Sequence, residues 1–193
     1  MSLQLRLATE DDAEAVQAIY APIVRDTTTS FEYDVPTIEV IQGRIRYTLE
    51  KYPYLVCHDE GIVAGYAYAS LLRSRKAYQW SAEASVYTHP DYYKRGIGRA
   101  LYRALFAVLK AQGFFTVFTG ITQPNPASIG FHEAMGFEAV GVYKNIGFKQ
   151  GGWHDVAWYG MELQPYADNP SDPIALPDIP IATIEQILSD IVI

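Results

Sequence analysis

Hydrophobic and polar residues along this chain follow two periods, one typical of strands and one typical of helices. Leu3, Leu5 and Leu7 alternate with polar residues, which predicts a half-buried strand. A capping pattern at residues 9–12 then precedes apolar residues at helical spacing, at Ala13, Val16, Ile19 and Ile23. The same reasoning predicts strands over residues 55–58, 62–71, 80–88, 114–121 and 156–163, and helices over 36–51, 97–113 and 127–135.

The order of these elements restricts the fold class. It is one strand, two helices, three strands, a helix, a strand, a helix, and then one or two closing strands. This order predicts an α/β fold with a mixed, mostly antiparallel and twisted sheet that is flanked by helices.

The character of the chain changes after residue 165, so we expect a domain over residues 1–165 and a tail over 166–193. Five prolines, at residues 165, 170, 173, 177 and 180, argue against regular structure from the end of the domain through most of the tail. The tail ends in an amphipathic segment, whose apolar residues recur at helical spacing: Ile181, Ile184, Ile187, Leu188 and Ile191. Such a stripe must be buried, either on its own domain or on a neighbouring subunit.

Length and composition exclude several classes of protein. The 193 residues are 49% hydrophobic, which suits one well-buried domain. No segment approaches the roughly 20 apolar residues of a membrane span, and residues 1–6 lack the apolar core of a signal peptide. The single cysteine, Cys57, cannot form an internal disulfide and lies in an apolar run, which favours a packed residue in a cytoplasmic protein. We expect no membrane partner.

Charge argues against a nucleic-acid partner as well, because the net charge is −7 and such binding needs a basic face. Basic residues are nonetheless grouped at residues 73–76 and 94–95. In an acidic protein such groups suit small anionic ligands, although two ordinary solvated turns would look the same.

The start of the third predicted helix carries the most specific chemical signal. A predicted strand ends at His89-Pro90, and Tyr93-Lys94-Arg95-Gly96-Ile97-Gly98 then opens the helix. Glycines there let main-chain N–H groups approach an anion, and the helix dipole favours negative charge. A dinucleotide fingerprint would need Gly or Ala at Leu101, and the Gly-Lys-Ser/Thr of a P-loop is absent. The pattern predicts a diphosphate site, or else a glycine turn that only begins a helix.

Residues 93–98 resemble the pyrophosphate loop of the GNAT N-acetyltransferases, which use acetyl-CoA. The family usually has Gln or Arg where this chain has Tyr93. The resemblance implies that the diphosphate of acetyl-CoA binds at residues 94–99 and that the pantetheine arm runs along residues 86–88. The coenzyme residues so implied are Val86, Tyr87, Thr88, Lys94, Arg95, Gly96, Ile97, Gly98 and Arg99.

A second motif of the same family is matched further along the chain, at Asn125, Ser128 and His132. In the family the first two positions contact the pantetheine arm or its phosphate. A tyrosine at the third position commonly protonates the departing thiolate. Here that position is His132, and the imidazole pKa of about 6.5 suits proton exchange at neutral pH. The alternative is an ordinary packed or surface histidine.

Acetyl transfer to nitrogen also needs a base, because a protonated amine has no free lone pair. Glu83 lies in an apolar run among Trp80, Ala82, Ala84 and Val86. Apolar neighbours raise the pKa of a carboxyl group and thereby suit it to general-base catalysis. A glutamate on an edge strand, facing water, is the alternative.

Residues 73–87 narrow the resemblance to one subfamily. Together with residues 132–137 and 147–156, they look like the phosphinothricin N-acetyltransferases, whose relatives acylate methionine sulfoximine and methionine sulfone. The resemblance implies that Arg73 and Arg75 bind the anionic groups of the acceptor and that Glu83 is the base. Ser85 belongs to the same motif and is assigned to the same pocket. The resemblance to the phosphinothricin N-acetyltransferases also implies that the protein is a homodimer.

The chemistry of the residues agrees with a small anionic acceptor. A guanidinium group binds the paired oxygens of a phosphinate or carboxylate through two hydrogen bonds. Tyr78 and Phe31 are expected to form walls of the acceptor pocket. His154 and Asp155 are neighbours on a predicted strand and point to opposite faces, so no metal is predicted there.

The expected reaction is direct attack of the amine on the thioester, with a main-chain N–H near Tyr87 stabilising the oxyanion. Two other functions remain open at this stage. One is N-acetylation of proteins or peptides, which would require an open peptide groove. The other is an acyl-CoA-binding module without catalysis, for which Glu83 would be dispensable.

Overall fold

A computed structural model describes residues 3–192, and it confirms the α/β fold. A single seven-stranded sheet has the strand order β1-β2-β3-β4-β5-β7-β6. The strands are β1 Leu3–Leu7, β2 Tyr54–Asp59, β3 Ile62–Leu71, β4 Ser81–Thr88, β5 Thr116–Thr122, β6 Glu138–Lys149 and β7 Gly152–Glu162. The helices are α1 Ala13–Asp26, α2 Ile38–Leu49, α3 Ile97–Gln112, α4 Pro126–Ala134 and α5 Ile181–Ser189.

The sheet is antiparallel except where β4 and β5 run parallel. Their pairing covers only Ser81 to Glu83 of β4, opposite Thr116 to Phe118 of β5. Beyond that point both strands continue without pairing to each other, so the sheet opens in its middle. The α3 helix packs on one face of the sheet, and α1 with α2 packs on the other. The opening therefore lies between the α3 layer and the layer formed by α1 and α2.

The start of the second helix and the last two strands differ from the sequence-based prediction. The second helix begins at Ile38 rather than at Pro36, because Thr37 caps it: the Thr37 hydroxyl accepts a hydrogen bond from Val40 N–H at 3.3 Å. The long strand β6 was missed as a defined element. Nearly all of its residues are exposed, so it has no buried face to produce an alternating pattern. Its partner β7 also begins four residues earlier than predicted, at Gly152.

The C-terminal segment packs on the same domain as the rest of the chain. Residues Leu176–Asp178 form a short 3₁₀ helix, and α5 follows. Ile184 and Leu188 of α5 are buried in the core that also contains α3. Two residues of the apolar stripe predicted from the sequence are thus covered by their own domain, whereas Ile181 is exposed. Residues 1, 2 and 193, which the predicted domain limits included, lie outside the described residues.

Two further observations concern membrane-spanning helices and the single cysteine. No helix within residues 3–192 has both the length and the apolar character needed to cross a bilayer. Cys57 is fully buried, and burial, with a smaller contribution from the charge of Asp59, raises the pKa of its thiol to about 11. The thiol therefore stays protonated at neutral pH, which confirms Cys57 as a packed residue rather than a nucleophile.

Candidate functional site

The opening between β4 and β5 leaves main-chain groups of β4 unpaired. His89 N–H donates to Ala64 O at 2.9 Å, which fixes the antiparallel alternation between β3 and β4. By that alternation Tyr87 directs its N–H towards β3, whereas Val86 and Thr88 direct theirs into the opening. The donors available to a ligand are therefore those on either side of Tyr87. An extended ligand can bind here in the manner of an added strand.

The first turn of α3 lies beside the same opening. Gly96 caps the helix with a φ of 83°, a left-handed conformation that favours glycine. The first intrahelical bond runs from Ala100 N–H to Gly96 O at 3.0 Å, so the N–H groups of residues 96–99 have no partner within the helix. A Cβ added at Gly98 would lie 3.7 Å from Thr88 Oγ1. The helix start and the end of β4 thus form one anion-binding surface.

Three cationic side chains surround this surface. Lys94, with a φ of 62°, and Arg99 are exposed, while the Arg95 guanidinium lies 5.1 Å from the centre of the Tyr92 ring. Unpaired helix N–H groups, a glycine at the close approach and nearby cationic side chains together suit a diphosphate. These residues fit the diphosphate linker of acetyl-CoA.

Asn125 and Ser128 fix the start of α4, on the far side of the opening. Asn125 Oδ1 accepts a hydrogen bond from Ser128 N–H at 3.1 Å, which caps the helix. The amide nitrogen of Asn125 is not used in that cap. Both residues thus have a local structural role at the start of α4.

His132 is buried in α4 with both ring nitrogens engaged. Nδ1 lies 2.8 Å from Ser128 O, and because a carbonyl only accepts, Nδ1 carries the proton. Nε2 then accepts from the Tyr102 hydroxyl at 3.1 Å. Burial lowers the pKa of His132, against a smaller opposing effect of the bond to Ser128. The imidazole is accordingly neutral at pH 7 and reaches the opening only through Tyr102.

Tyr102 is a site residue that the sequence did not reveal. It is fully buried on α3, and its hydroxyl lies 3.4 Å from Ala84 O, at the point where β4 separates from β5. Burial raises the pKa of Tyr102 far above its ordinary value, so the phenol keeps its proton. It can act as a hydrogen-bond donor there. The only signal in the sequence was a tyrosine on the apolar face of α3, where a buried hydroxyl needs a partner.

Glu83 lies on the other face of β4 from this tyrosine. Its neighbours Ala82 and Ala84 are buried under α3, so alternation turns Glu83 towards the face that carries α1 and α2. Burial raises the pKa of the Glu83 carboxyl, and the charge of Arg73 opposes that shift. Within residues 3–192 no hydrogen bond or ion pair holds this carboxylate. It is free to accept a proton from a ligand.

A cavity of about 340 Å³ begins at Phe118, the β5 neighbour of Glu83, although Glu83 itself is not among its lining residues. Arg73 contributes its positive charge, with its guanidinium 5.7 Å from the centre of the Trp158 ring and Nη2 3.3 Å from the Tyr143 hydroxyl. Phe118, a lining residue, is directly opposite Glu83 in the β4–β5 pair. The principal lining residues are Leu72, Arg73, Tyr78, Phe118, Tyr143 and Trp158. Two larger grooves, of about 570 and 600 Å³, lie beside α5 and away from these groups.

Three other residues expected at the acceptor do not line this cavity. Arg75 precedes a short 3₁₀ helix, Lys76–Tyr78, and its carbonyl accepts from Tyr78 N–H at 3.0 Å. Phe31 packs against Gly147 so closely that an added Cβ there would overlap its ring. Ser85 is hydrogen-bonded to Tyr68. The structure thus places Arg73 and Tyr78 in the cavity lining and Glu83 next to the lining residue Phe118. Arg75, Phe31 and Ser85 lie outside the lining.

The predicted strand neighbours His154 and Asp155 make separate structural contacts. His154 Nε2 lies 3.0 Å from Lys149 O, and Asp155 Oδ2 accepts from Lys144 Nζ at 2.7 Å. Among residues 3–192 no group of three or more His, Cys, Asp or Glu side chains is arranged to hold a metal ion.

Comparison with known proteins agrees with this geometry. Residues 5–158 match the family described as "Acetyltransferase (GNAT) domain". The chain therefore belongs to the GNAT acetyltransferase family, as the motifs predicted.

Three relatives with names or solved structures are similar over most of the chain. A phosphinothricin N-acetyltransferase of Streptomyces viridochromogenes is 35% identical over 89% of this chain and 94% of its own length. An L-methionine sulfoximine/L-methionine sulfone acetyltransferase of Salmonella typhimurium is 30% identical over 86% of this chain and 97% of its own. The crystal structure of a Sinorhizobium meliloti phosphinothricin acetyltransferase in complex with acetyl-CoA matches with a TM-score of 0.84. It is 36% identical and covers 92% of this chain and 97% of its own.

Proposed function

We propose that this enzyme transfers an acetyl group to the α-amine of a small anionic amino-acid analogue of the phosphinothricin, methionine sulfoximine or methionine sulfone type. One observation carries the proposal: Glu83, a carboxylate with a raised pKa and no partner among the described residues, lies beside an arginine-containing cavity. The size of the cavity, about 340 Å³, suits a small molecule rather than a peptide. The substrates in the names of the relatives support the same class.

The coenzyme residues fit a single extended ligand. The N–H groups of residues 96–99 bind the diphosphate, with Lys94, Arg95 and Arg99 as its cationic partners. Val86 and Thr88 offer main-chain groups to the pantetheine arm, and Asn125 and Ser128 contact it from α4. When bound, acetyl-CoA supplies the activated acetyl thioester.

The acceptor residues have two roles: some bind the charged groups of the acceptor, and others form the walls of its pocket. Arg73 and Arg75 lie in the acceptor loop, which we define as residues 72–80, and they bind the anionic groups of the acceptor. Tyr78 forms one wall of the cavity. Phe31 and Ser85 complete the pocket on the side of α1, outside the described cavity lining.

Glu83 is the general base in this proposal. Its desolvated carboxylate accepts a proton from the α-ammonium group, directly or through one water, and the free amine attacks the thioester carbonyl. The N–H groups of Val86 and Thr88 stabilise the negative charge that develops on the carbonyl oxygen. Tyr102 has one hydroxyl proton, which His132 Nε2 accepts in the resting enzyme. In the reaction this proton turns from His132 to the departing sulfur. His132 thus acts through Tyr102.

A panel of acceptors tests the proposal. Release of the coenzyme thiol is measured with phosphinothricin, methionine sulfoximine and methionine sulfone, and with peptides that offer an α-amine or a lysine. We expect kcat/KM for the best analogue to exceed that for any peptide by at least about 100-fold, because the unfilled cationic pocket disfavours peptides. A preference for peptides would indicate a peptide N-acetyltransferase. Coenzyme binding without thiol release from any amine would indicate a binding module.

Arg73→Gln is expected to move the acidic limb of the pH profile of kcat/KM to higher pH. In the wild type the charge of Arg73 opposes the burial that raises the pKa of Glu83. Removing that charge leaves the effect of burial unopposed, so the base becomes protonated at higher pH. Initial rates between pH 5 and 9, at low acceptor concentration, measure the limb. A limb that stays in place or moves to lower pH would contradict the assignment.

Arg75→Ala is expected to raise the KM of the acceptor by about 10-fold or more, the cost of one lost charge-assisted hydrogen bond. The KM of acetyl-CoA should change less than twofold by comparison. The measurement is a pair of steady-state titrations, with Lys110→Ala, a cation near the end of α3, as the control variant. Equal changes in both KM values would place Arg75 outside the acceptor pocket.

The enzyme is proposed to be a homodimer formed through the outer surface of β6. This edge strand exposes a row of apolar side chains, among them Val140 at 63% and Ile146 at 54%. Exposed apolar edge strands tend to be covered by another part of the protein or by another subunit. A second subunit of this enzyme presents the same β6 surface and can cover it. Sedimentation should show a dimer for the wild type and a monomer for Ile146→Lys. A monomeric wild type at 50 µM, about the concentration of a routine run, would contradict the proposal.

A further inference from the structure

The C-terminal strap, which we define as residues 166–180, connects β7 to α5. It crosses the end of α3, where Ile174 N–H donates to Gln112 O at 2.9 Å. Gln112 Nε2 in turn donates to Ile174 O at 2.9 Å and to Lys51 O at 2.7 Å. Leu176 is buried in the core. The strap is therefore fixed to the domain on the C-terminal side of residue 172.

Immediately before this anchor, the strap contacts the acceptor loop through three polar interactions. Trp80 Nε1–H donates to Ser171 O at 2.8 Å. Gln79 Nε2 donates to Asp172 Oδ1 at 2.7 Å, and Lys76 Nζ lies 3.1 Å from Asp172 Oδ2. Both oxygens of one carboxylate are thus used to hold two residues of the loop.

These contacts hold the turn that carries acceptor residues. Tyr78, which lines the cavity, lies in the 3₁₀ helix Lys76–Tyr78, between the two residues bound to Asp172. The ion pair of Lys76 with Asp172 also gives this lysine a different role from the neighbouring Arg73 and Arg75. Among the described residues Lys76 has a carboxylate partner, whereas Arg73 and Arg75 form no ion pair. The two arginines keep their charges for a ligand while the lysine fixes the loop.

We propose that Asp172 is a positioning residue, which holds the acceptor loop in the conformation that binds the acceptor. The strap lies beyond residue 158, where the match to the GNAT domain ends. The inference rests on the proposed function, because the acceptor loop is defined by that function.

The experiment compares Asp172→Ala with Asp172→Asn, using Asp168→Ala as the control. Asp168 lies on the same strap, is exposed and makes no hydrogen bond or ion pair within residues 3–192. Asp172→Ala removes the contacts with Gln79 and Lys76, whereas asparagine keeps an oxygen for Gln79. We expect Asp172→Ala to raise the acceptor KM about fivefold, with kcat and the KM of acetyl-CoA unchanged. Asp172→Asn should be intermediate, and the control should equal the wild type.

Hydrogen exchange provides a readout that does not depend on activity. The N–H groups of Tyr78 and Gln79 donate to Arg75 O and Lys76 O, and in Asp172→Ala they should exchange about fivefold faster than in the control. Unchanged exchange rates of these two N–H groups would show that Asp172 does not hold the acceptor loop. Faster exchange with an unchanged acceptor KM would overturn the positioning role. If the wild type acetylates no analogue, the proposed function fails, and exchange still decides whether Asp172 holds the loop.

Discussion

Glu83→Gln is expected to lower kcat for the acceptor by about 10² to 10⁴-fold at neutral pH, the usual contribution of a general base. Glutamine has nearly the same shape as glutamate but cannot accept the proton of the α-ammonium group. The affinity for acetyl-CoA should not change, because the diphosphate site lies at α3. Steady-state rates and calorimetric binding of the coenzyme measure the two quantities.

Stability separates this loss from damage to the fold. Burial raises the pKa of Glu83, so the folded state carries a cost for the charged form at every pH above that pKa. The amide has no charge to desolvate, and Glu83→Gln should therefore unfold at the same or a higher temperature at pH 7. The difference should shrink as the pH falls towards the ordinary pKa of glutamate. Unchanged turnover would remove Glu83 from the mechanism, whatever the stability.

Gly98→Val is expected to weaken acetyl-CoA binding by about 100-fold, because losing two charge-assisted hydrogen bonds costs at least this much. An added Cβ at Gly98 lies 3.4 Å from the Phe131 ring and 3.7 Å from Thr88 Oγ1. The branches of valine would then extend into the space over the first turn of α3, where the diphosphate binds. Calorimetric titration with coenzyme measures the effect.

The matched control is Gly43→Val in α2, where an added Cβ meets nothing within 4 Å. It makes the same change of residue in a helix that is distant from the coenzyme. Binding should be that of the wild type in this variant. Normal coenzyme affinity in Gly98→Val would mean that the diphosphate binds elsewhere.

Local signals made the coenzyme half of the site predictable from the sequence. The strand, the turn and the helix start that carry Gly96 and Gly98 are continuous in the chain, so one pattern contains most of the chemistry. Glu83 was identifiable for a similar reason, since its apolar neighbours lie on the same strand. The fold class followed from the order of the elements.

Contacts between distant parts of the chain were not predictable in this way. Tyr102 and His132 are 30 residues apart, and nothing local to either residue shows that Nε2 accepts from the phenol. The pairing of Asp172 with Lys76 likewise depends on the path of the C-terminal strap. The exposed strand β6 gave no alternating pattern at all. In each case the missing information is tertiary packing, which hydrophobic periodicity does not encode.

The position of the acceptor amine tests the account most directly. A crystal structure of the enzyme with coenzyme A and an acceptor analogue would give the distance from the amine nitrogen to the Glu83 carboxylate. The account predicts about 2.6–3.2 Å, or a single bridging water, with the acceptor in the cavity beside Arg73. An amine bound out of reach of Glu83, against another proton acceptor, would contradict it.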